Sequence, residues 1–266
     1  MPAEAVDLPI YWVDAFTDRV FGGNPAAVIP LESWLEDALL QRIANENGLS
    51  ETAYFVRTGP ARAELRWFTP AVEVDLCGHA TLATAHVLFN ELGQLESPVL
   101  FDTKSGPLSV ARRGDMIELD FPARPAKPAE PTEVLLRGLG RRPDEVLRSE
   151  RMWLCVYGTE DDVTALAPDH AALAPAVPGR IIVTAPGKDC DFVSRFFAPD
   201  AGVAEDPVTG SAHCTLVPYW AGRLGKTRLH ARQVSRRAGE LWCELDSGRV
   251  RMRGRAAPYL KGRIAV

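Results

Sequence analysis

Gly78-His79-Ala80-Thr81-Leu82-Ala83-Thr84-Ala85-His86-Val87-Leu88-Phe89 contains no Asp, Glu, Lys or Arg and presents apolar side chains on nearly every face of a helix. A helix that is apolar all round has no solvent side, so it has to be enclosed, here by sheet. Residues 210–221, with Ala212, Cys214, Leu216, Val217, Tyr219, Trp220 and Ala221, have the same character. Two buried helices imply two cores.

The surroundings of the two helices repeat in order. Arg66-Trp67-Phe68-Thr69-Pro70 matches Arg195-Phe196-Phe197-Ala198-Pro199, and Gly78-His79-Ala80 matches Gly210-Ser211-Ala212. Leu92-Gly93 matches Leu224-Gly225 at the same offset as the glycines, while the earlier pair is three residues closer. Strand, proline, loop, glycine, buried helix and Leu-Gly, twice over, read as two copies of one unit. Prolines at 122, 125, 128 and 131 mark a stiff connection between them. The expected division is therefore a first domain over 1–121 and a second over 132–255, with 256–266 as a strand returning to the first.

Working outward, residues 10–16 and 26–29 read as strands, and Ser33 with Glu36 has the spacing of a capping box. The pattern predicts a helix over 34–46 stopped by Asn47-Gly48, with Glu51 just past the stop and a strand over 53–56. Strands are also predicted around Leu65 and Trp67 and over 152–157, 180–183, 191–197, 241–245 and 249–253. Helical patches are predicted over 134–138 and 161–167.

Composition narrows the function classes. Hydrophobic residues make up 46% of the 266 and charged residues 24%, ordinary globular values. The net charge of −5 and the scattered basic residues give no support to a nucleic-acid groove or a polybasic membrane patch. No stretch approaches the roughly 18 apolar residues of a membrane span, and the first 16 residues lack the pattern of a secretion signal, so a soluble cytoplasmic protein is expected. Five widely spaced cysteines without a CxxC pair argue against a disulfide framework and a zinc ribbon. No metal is expected, since Cys77 and His79 offer only two ligands.

Each repeat brings a loop to the start of a buried helix, where backbone N–H groups and the helix dipole favour an anion. Gly78 and Gly210 permit close approach there, or serve only tight packing. His79 lies in the first turn of one helix, and Glu205-Asp206 precede the other. Helix starts facing each other across a domain cleft would hold a small acidic molecule from both sides. On pattern alone, Glu51 reads as a catalytic or a solvated loop carboxylate.

These pieces carry a resemblance over essentially the whole chain. Asp14-Ala15-Phe16-Thr17, Gly23-Asn24-Pro25-Ala26, Asn47-Gly48-Leu49-Ser50-Glu51-Thr52, Phe68-Thr69-Pro70, Asp75-Leu76-Cys77-Gly78-His79-Ala80 and Glu205-Asp206-Pro207-Val208-Thr209-Gly210-Ser211-Ala212 are similar to the motifs of the PhzF-like family of phenazine-biosynthesis isomerases. The resemblance implies an α/β fold of the diaminopimelate epimerase type, with two pseudo-symmetric domains, each a mixed sheet or barrel around a central helix, assembled as a homodimer. It implies a cofactor-independent isomerase of a biosynthetic process, moving a proton on a small carboxylated substrate as in dihydro-hydroxyanthranilate isomerisation. Glu51 takes the part of general base in the interdomain cleft, with His79 and Asp206 as catalytic partners and Asn24, Gly78, Gly210 and Ser211 as substrate contacts.

Related epimerases and racemases oppose two thiols, one before each central helix. This chain has Cys77 at the first place and Asp206 in the region of the second. Two alternatives follow: an epimerase or racemase in which Cys77 faces a carboxylate, and a non-enzymatic binding protein on the same fold. A carboxylate near its free pKa of about 4.3 is a feeble base for a carbon acid, so the isomerase reading requires Glu51 to be partly withdrawn from water.

Overall fold

The computed structural model describes residues 6–93, 96–150, 152–174, 179–199 and 203–266. The chain forms two compact units, one of residues up to 120 together with 253–266, the other of residues 121–252. In the first unit, β1 (Asp7–Ala15) pairs antiparallel with β2 (Asn24–Leu31). After α1 (Asp37–Asn47), β3 (Glu51–Gly59) returns parallel to β2, and β4 (Arg62–Phe68) runs antiparallel to β3. The short β5 (Glu73–Val74) pairs antiparallel with β4 and leads into α2 (Gly78–His86). After α2, β6 (Val99–Thr103) pairs parallel with β4, and β7 (Gly106–Arg113) and β8 (Met116–Pro122) continue antiparallel.

The enclosed helix is as the sequence requires. All nine residues of α2 are buried, and Thr81 and Thr84, polar in an apolar sheath, return their hydroxyls to the carbonyls of Cys77 and Ala80. A π-helical turn at Val87–Glu91 follows it. The other side of the sheet carries a second core, in which Leu8, Ile10, Ala27, Ile29, Tyr54 and Phe68 meet Leu40 and Ile43 of α1.

One helix boundary differs from expectation. α1 begins at Asp37, with Glu36 at its N-cap and no side-chain cap, so the Ser33–Glu36 capping box does not form. Trp34 explains the shift. Its indole donates to Glu64, Arg66 stacks 5.1 Å from its ring, and Trp34 and Leu35 pack on the core instead of opening the helix.

In the second unit, β9 (Lys127–Pro128) and α3 (Glu133–Leu139) precede β10 (Glu145–Arg148), which pairs antiparallel with β9 and with β11 (Met152–Val156). The short helices α4 (Glu160–Thr164) and α5 (His170–Leu173) lead to β12 (Arg180–Pro186), parallel to β11, then to β13 (Phe192–Ala198), antiparallel to β12. β14 (Val203–Asp206) pairs antiparallel with β13 and leads into α6 (Gly210–Leu224). β15 (Arg228–Gln233) then pairs parallel with β13 and antiparallel with β16 (Gly239–Asp246). β17 (Arg249–Gly254) carries the chain back toward the first unit, where β18 (Ala256–Ala265) pairs antiparallel with β1. β1, β2, β3 and β18 pack on α2, and β11, β15 and β16 pack on α6.

The strand pattern is thus the same twice: β4 and β13 each sit between antiparallel neighbours and a parallel strand that follows the buried helix. The repeat extends to a charge pair invisible as a motif. Arg66 grips Glu73 through two nitrogens at 2.8 and 2.9 Å, and Arg195 grips Glu205 at 2.7 and 3.0 Å. Each guanidinium also lies 5.1 Å from a phenylalanine ring two residues on, Phe68 or Phe197.

The proline-rich segment is tied down within the second unit. Ala123, Arg124 and Ala129 donate backbone N–H groups to the carbonyls of Gly248, Cys214 and Val146. The Arg124 bond, 2.8 Å long, also solves a local problem: Pro218 inside α6 has no N–H for the Cys214 carbonyl one turn back, and Arg124 supplies one. No described helix is long and apolar enough to cross a membrane.

Candidate active site

In the first unit the site begins at the end of α1. Gly48 caps the helix in the left-handed region at φ 63°, returning its N–H to the Ala44 carbonyl, and the chain turns back so that Glu51 is the first residue of β3. Asn47 donates to the Thr52 hydroxyl at 3.0 Å and holds that turn. Glu51 is consequently fixed beside β2, in register with Ala26.

α2 delivers the second group. Cys77 is its N-cap in extended conformation, and His79, second in the helix, is buried with 5% of its side chain exposed. His79 Nε2 lies 3.1 Å from Glu51 Oε2, off the line of a well-formed hydrogen bond. Glu51 Oε2 is itself buried, so the 18% of this side chain that remains exposed lies on its other atoms. On the far side of the ring, Nδ1 lies 3.1 Å from the amide nitrogen of Asn24 and 3.5 Å from Cys77 Sγ.

Electrostatics follows from this enclosure. Burial, reinforced by the Glu51 charge and partly offset by His79, pushes the Cys77 thiol up to about 11, so it keeps its proton at neutral pH. For His79, burial is the largest influence and disfavours the charged ring. A hydrogen bond to the Cys77 sulfur and the charge of the Glu51 carboxylate oppose it, and the net direction is upward.

Glu51, Cys77 and His79 place one ligand atom each within 4.8 Å of one another. A thiol, an imidazole and a carboxylate gathered that closely can hand on a proton.

The second unit assembles Asp206, Gly210 and Ser211 at the start of α6, with Asp206 ending β14. Here the hydrogen bonds close on themselves. The Thr209 hydroxyl donates to Asp206, while Gln233 accepts from the Thr209 N–H at 2.8 Å and donates to the Asp206 carbonyl at 2.8 Å. His213 Nδ1 donates to the Thr209 carbonyl at 2.9 Å. Glu205, adjacent in sequence, belongs to the Arg195 pair and is occupied by it.

The structure thus brings Asn24, Glu51, Cys77 and His79 together in one unit and Asp206, Gly210 and Ser211 together in the other. Sequence reading missed Thr209 and Gln233. The repeat held the signal for Thr209: Thr209-Gly210-Ser211 lies at the same offset as Gly210 from Gly78, opposite Cys77-Gly78-His79. The position matching Cys77 is therefore a threonine N-cap, and Asp206 stands three residues before it. Nothing local marks Gln233, a fully buried residue ending a strand.

Residues 13–262 match the family model described as phenazine biosynthesis-like protein. An uncharacterized isomerase of Pseudomonas aeruginosa is 52% identical over 260 residues, covering 97% of this chain and 99% of that protein. The crystal structure of a PhzF-family phenazine biosynthesis protein of Enterococcus faecalis superimposes with a TM-score of 0.95 at 45% identity, covering 98% of this chain and all of that one. A predicted epimerase of Pseudomonas aeruginosa, 18% identical over 97% of this chain and 99% of its own, shares the fold with a TM-score of 0.73.

Proposed function

Because the chain belongs to the phenazine biosynthesis-like protein family, we propose that it is an isomerase that moves a proton between carbons of a small carboxylated substrate without a cofactor, with Glu51 as general base. The observation that supports this reading is the Glu51 carboxylate, partly withdrawn from water, with one buried oxygen 3.1 Å from a buried imidazole. In that setting the carboxylate takes a proton from a carbon next to an unsaturated or carbonyl group, and the electron pair moves into the substrate's π system. The proton then returns at another carbon and Glu51 is again a carboxylate.

His79 orients Glu51 and the substrate. Gly78 opens α2 and Gly210 and Ser211 open α6, where first-turn N–H groups suit a carboxylate or a developing enolate oxygen. Asp206 and Ser211 are assigned to substrate binding on the family pattern. The epimerase alternative asks Cys77 to act as a base. A thiol pushed up to about 11 suits the proton-bearing form, and the α6 N-cap offers Thr209 in place of a second thiol.

Glu51→Gln keeps the shape and removes the basicity, so turnover should fall about 100-fold or more. The assay is conversion and deuterium uptake in D₂O, followed by NMR and mass spectrometry, over a panel that includes trans-2,3-dihydro-3-hydroxyanthranilate and other unsaturated or α-amino carboxylates. Turnover that survives Glu51→Gln but is abolished by Cys77→Ala transfers the base to the thiol. Silence across the panel in the wild-type protein leaves a substrate outside the panel and the binding-protein alternative both standing.

A further inference from the structure

Asn24 has no solvent exposure, and its carboxamide contacts His79 Nδ1 at 3.1 Å. A fully buried side chain is poorly placed to meet a substrate and well placed to hold a neighbour. We infer that Asn24 is a positioning residue that keeps a hydrogen on Nε2 of His79, the ring nitrogen 3.1 Å from Glu51, in both protonation states of the ring, so that a proton lifted by Glu51 has no exit through the imidazole. The claim about the ring stands on geometry alone; the claim about the lifted proton rests on the isomerase reading.

A neutral imidazole carries one N–H, and the partner of the other nitrogen decides which. With the Asn24 amide donating into Nδ1, the ring hydrogen sits on Nε2, the nitrogen nearer Glu51. When Nδ1 gains a proton, the carboxamide turned over offers its oxygen to the new N–H. Only a side chain with both a donor and an acceptor serves the two states. Aspartate would serve only the charged ring, and leucine neither. In both states Nε2 keeps its hydrogen and has no lone pair for a proton from Glu51, which therefore gives it back to the substrate.

The backbone fixes Asn24 for this task. Gly23 sits at φ 57°, where an added Cβ would lie 2.1 Å from the Ala15 carbonyl oxygen, and the Phe21 N–H donates to Asp14 at 2.8 Å, so β2 starts at one place only. Cys77, 3.5 Å from the same Nδ1, is a second hydrogen-bearing group on that side. The titratable groups that act on the ring are Cys77 at Nδ1 and Glu51 at Nε2. Of the strands packed on α2, β1 carries the buried Asp14, which accepts from the Phe21 N–H, and β18 carries Lys261 and Arg263.

The test needs no substrate. In the full-length protein labelled with ¹⁵N-histidine, the His79 signals are identified by their loss in His79→Gln, and the two ring nitrogens are followed across the titration. Expected in the wild type is an Nε2 that stays protonated throughout while Nδ1 alone titrates. In Asn24→Asp the carboxylate should hold hydrogen on Nδ1, raise the titration by at least about one pH unit and leave Nε2 bare in the neutral ring. A wild-type neutral ring that carries its proton on Nδ1 overturns the inference, whether or not any variant folds. So does an Asn24→Asp ring with unchanged tautomer and titration. Once a substrate turns over, Asn24→Asp should take up several-fold more deuterium per turnover than wild type. Failure of that arm alone, with the ring result intact, counts against the isomerase reading and not against the clamp.

Discussion

The starts of α2 and α6 occupy the same place in two copies of one frame, yet their polar groups are used in opposite ways. At α2, Glu51 and His79 meet at 3.1 Å without a well-formed hydrogen bond, each buried atom held close to a partner that does not close it. At α6, Asp206, Thr209 and Gln233 bond one another, and His213 bonds the Thr209 carbonyl through Nδ1 while its buried Nε2 makes no hydrogen bond. Buried polar groups are normally satisfied, and an exception marks a place where a fold tolerates cost for chemistry. The frame repeats and its contents differ: the first start leaves the Glu51–His79 contact open, and the second ties Asp206 down through Thr209 and Gln233.

The shared part of the frame should carry the largest effect. Arg66 and Arg195 have 19% and 12% of their side chains exposed and pair with Glu73 and Glu205, at 14% and 24%. Each also reaches out of its strand pair, Arg66 to Asp37 at the start of α1 and Arg195 to the carbonyls of Val163 and Leu166 at the end of α4. Removing the arginine takes the guanidinium from a partly buried carboxylate and leaves Glu73 with Lys104 alone. Arg66→Met and Arg195→Met should therefore each lower the unfolding free energy by about 2–3 kcal/mol, measured by urea titration. A loss below about 0.5 kcal/mol in either, the scale of a surface pair, would show that the two halves do not share a support.

That pair shows why part of the molecule was legible and part was not. Apolar helices at 78–89 and 210–221 declare burial through composition, and the Phe-Thr-Pro and Phe-Ala-Pro stops declare strand ends, so the doubled fold and Glu51, His79 and Asp206 as candidates could be read directly. Glu73 and Glu205 could not be joined to Arg66 and Arg195, because the pairing crosses neighbouring strands and depends on register. The same limit hid Gln233, 24 residues after the Thr209 it closes. The failed capping box at Ser33–Glu36 is the reverse case, a local pattern overridden when Trp34 found Glu64 across the sheet. Asn24 was legible as a residue of interest, but its contact with His79, 55 positions away, was not.

Histidine titration sharpens the contrast with a smaller effect. Burial, opposed only by the bond to Thr209, lowers the pKa of His213 to about 4, whereas that of His79 is raised. The signs are opposite. Between the ordinary histidine value and about 4, the unfolded chain binds a proton at His213 that the folded chain refuses, so this stability is complete above that window and lost as pH falls through it. His79 contributes stability that is present below the ordinary value and lost as pH rises through its raised pKa. His213 alone should account for about 2 kcal/mol lost on going from about pH 7.5 to about pH 5. Urea titrations of wild type and His213→Gln at the two pH values isolate it: the variant should lose that much less. Equal losses in the two proteins would mean that His213 is not kept neutral by burial.

The smallest effect separates the two N-caps themselves. Thr209→Val removes the hydroxyl that donates to Asp206 and accepts from Gln233 at 3.2 Å, while the methyl keeps the volume. The Asp206 carboxylate loses a donor within an otherwise closed set, for an expected cost of about 1 kcal/mol. Cys77→Ser, at the matching position, exchanges one small group bearing a hydrogen for another beside His79 Nδ1. Its cost should stay within about 0.5 kcal/mol. If the first start is open and the second closed, stability responds to Thr209 and not to Cys77. The reverse ranking would place the closed network at α2, and the division of labour between the two copies would have to be exchanged.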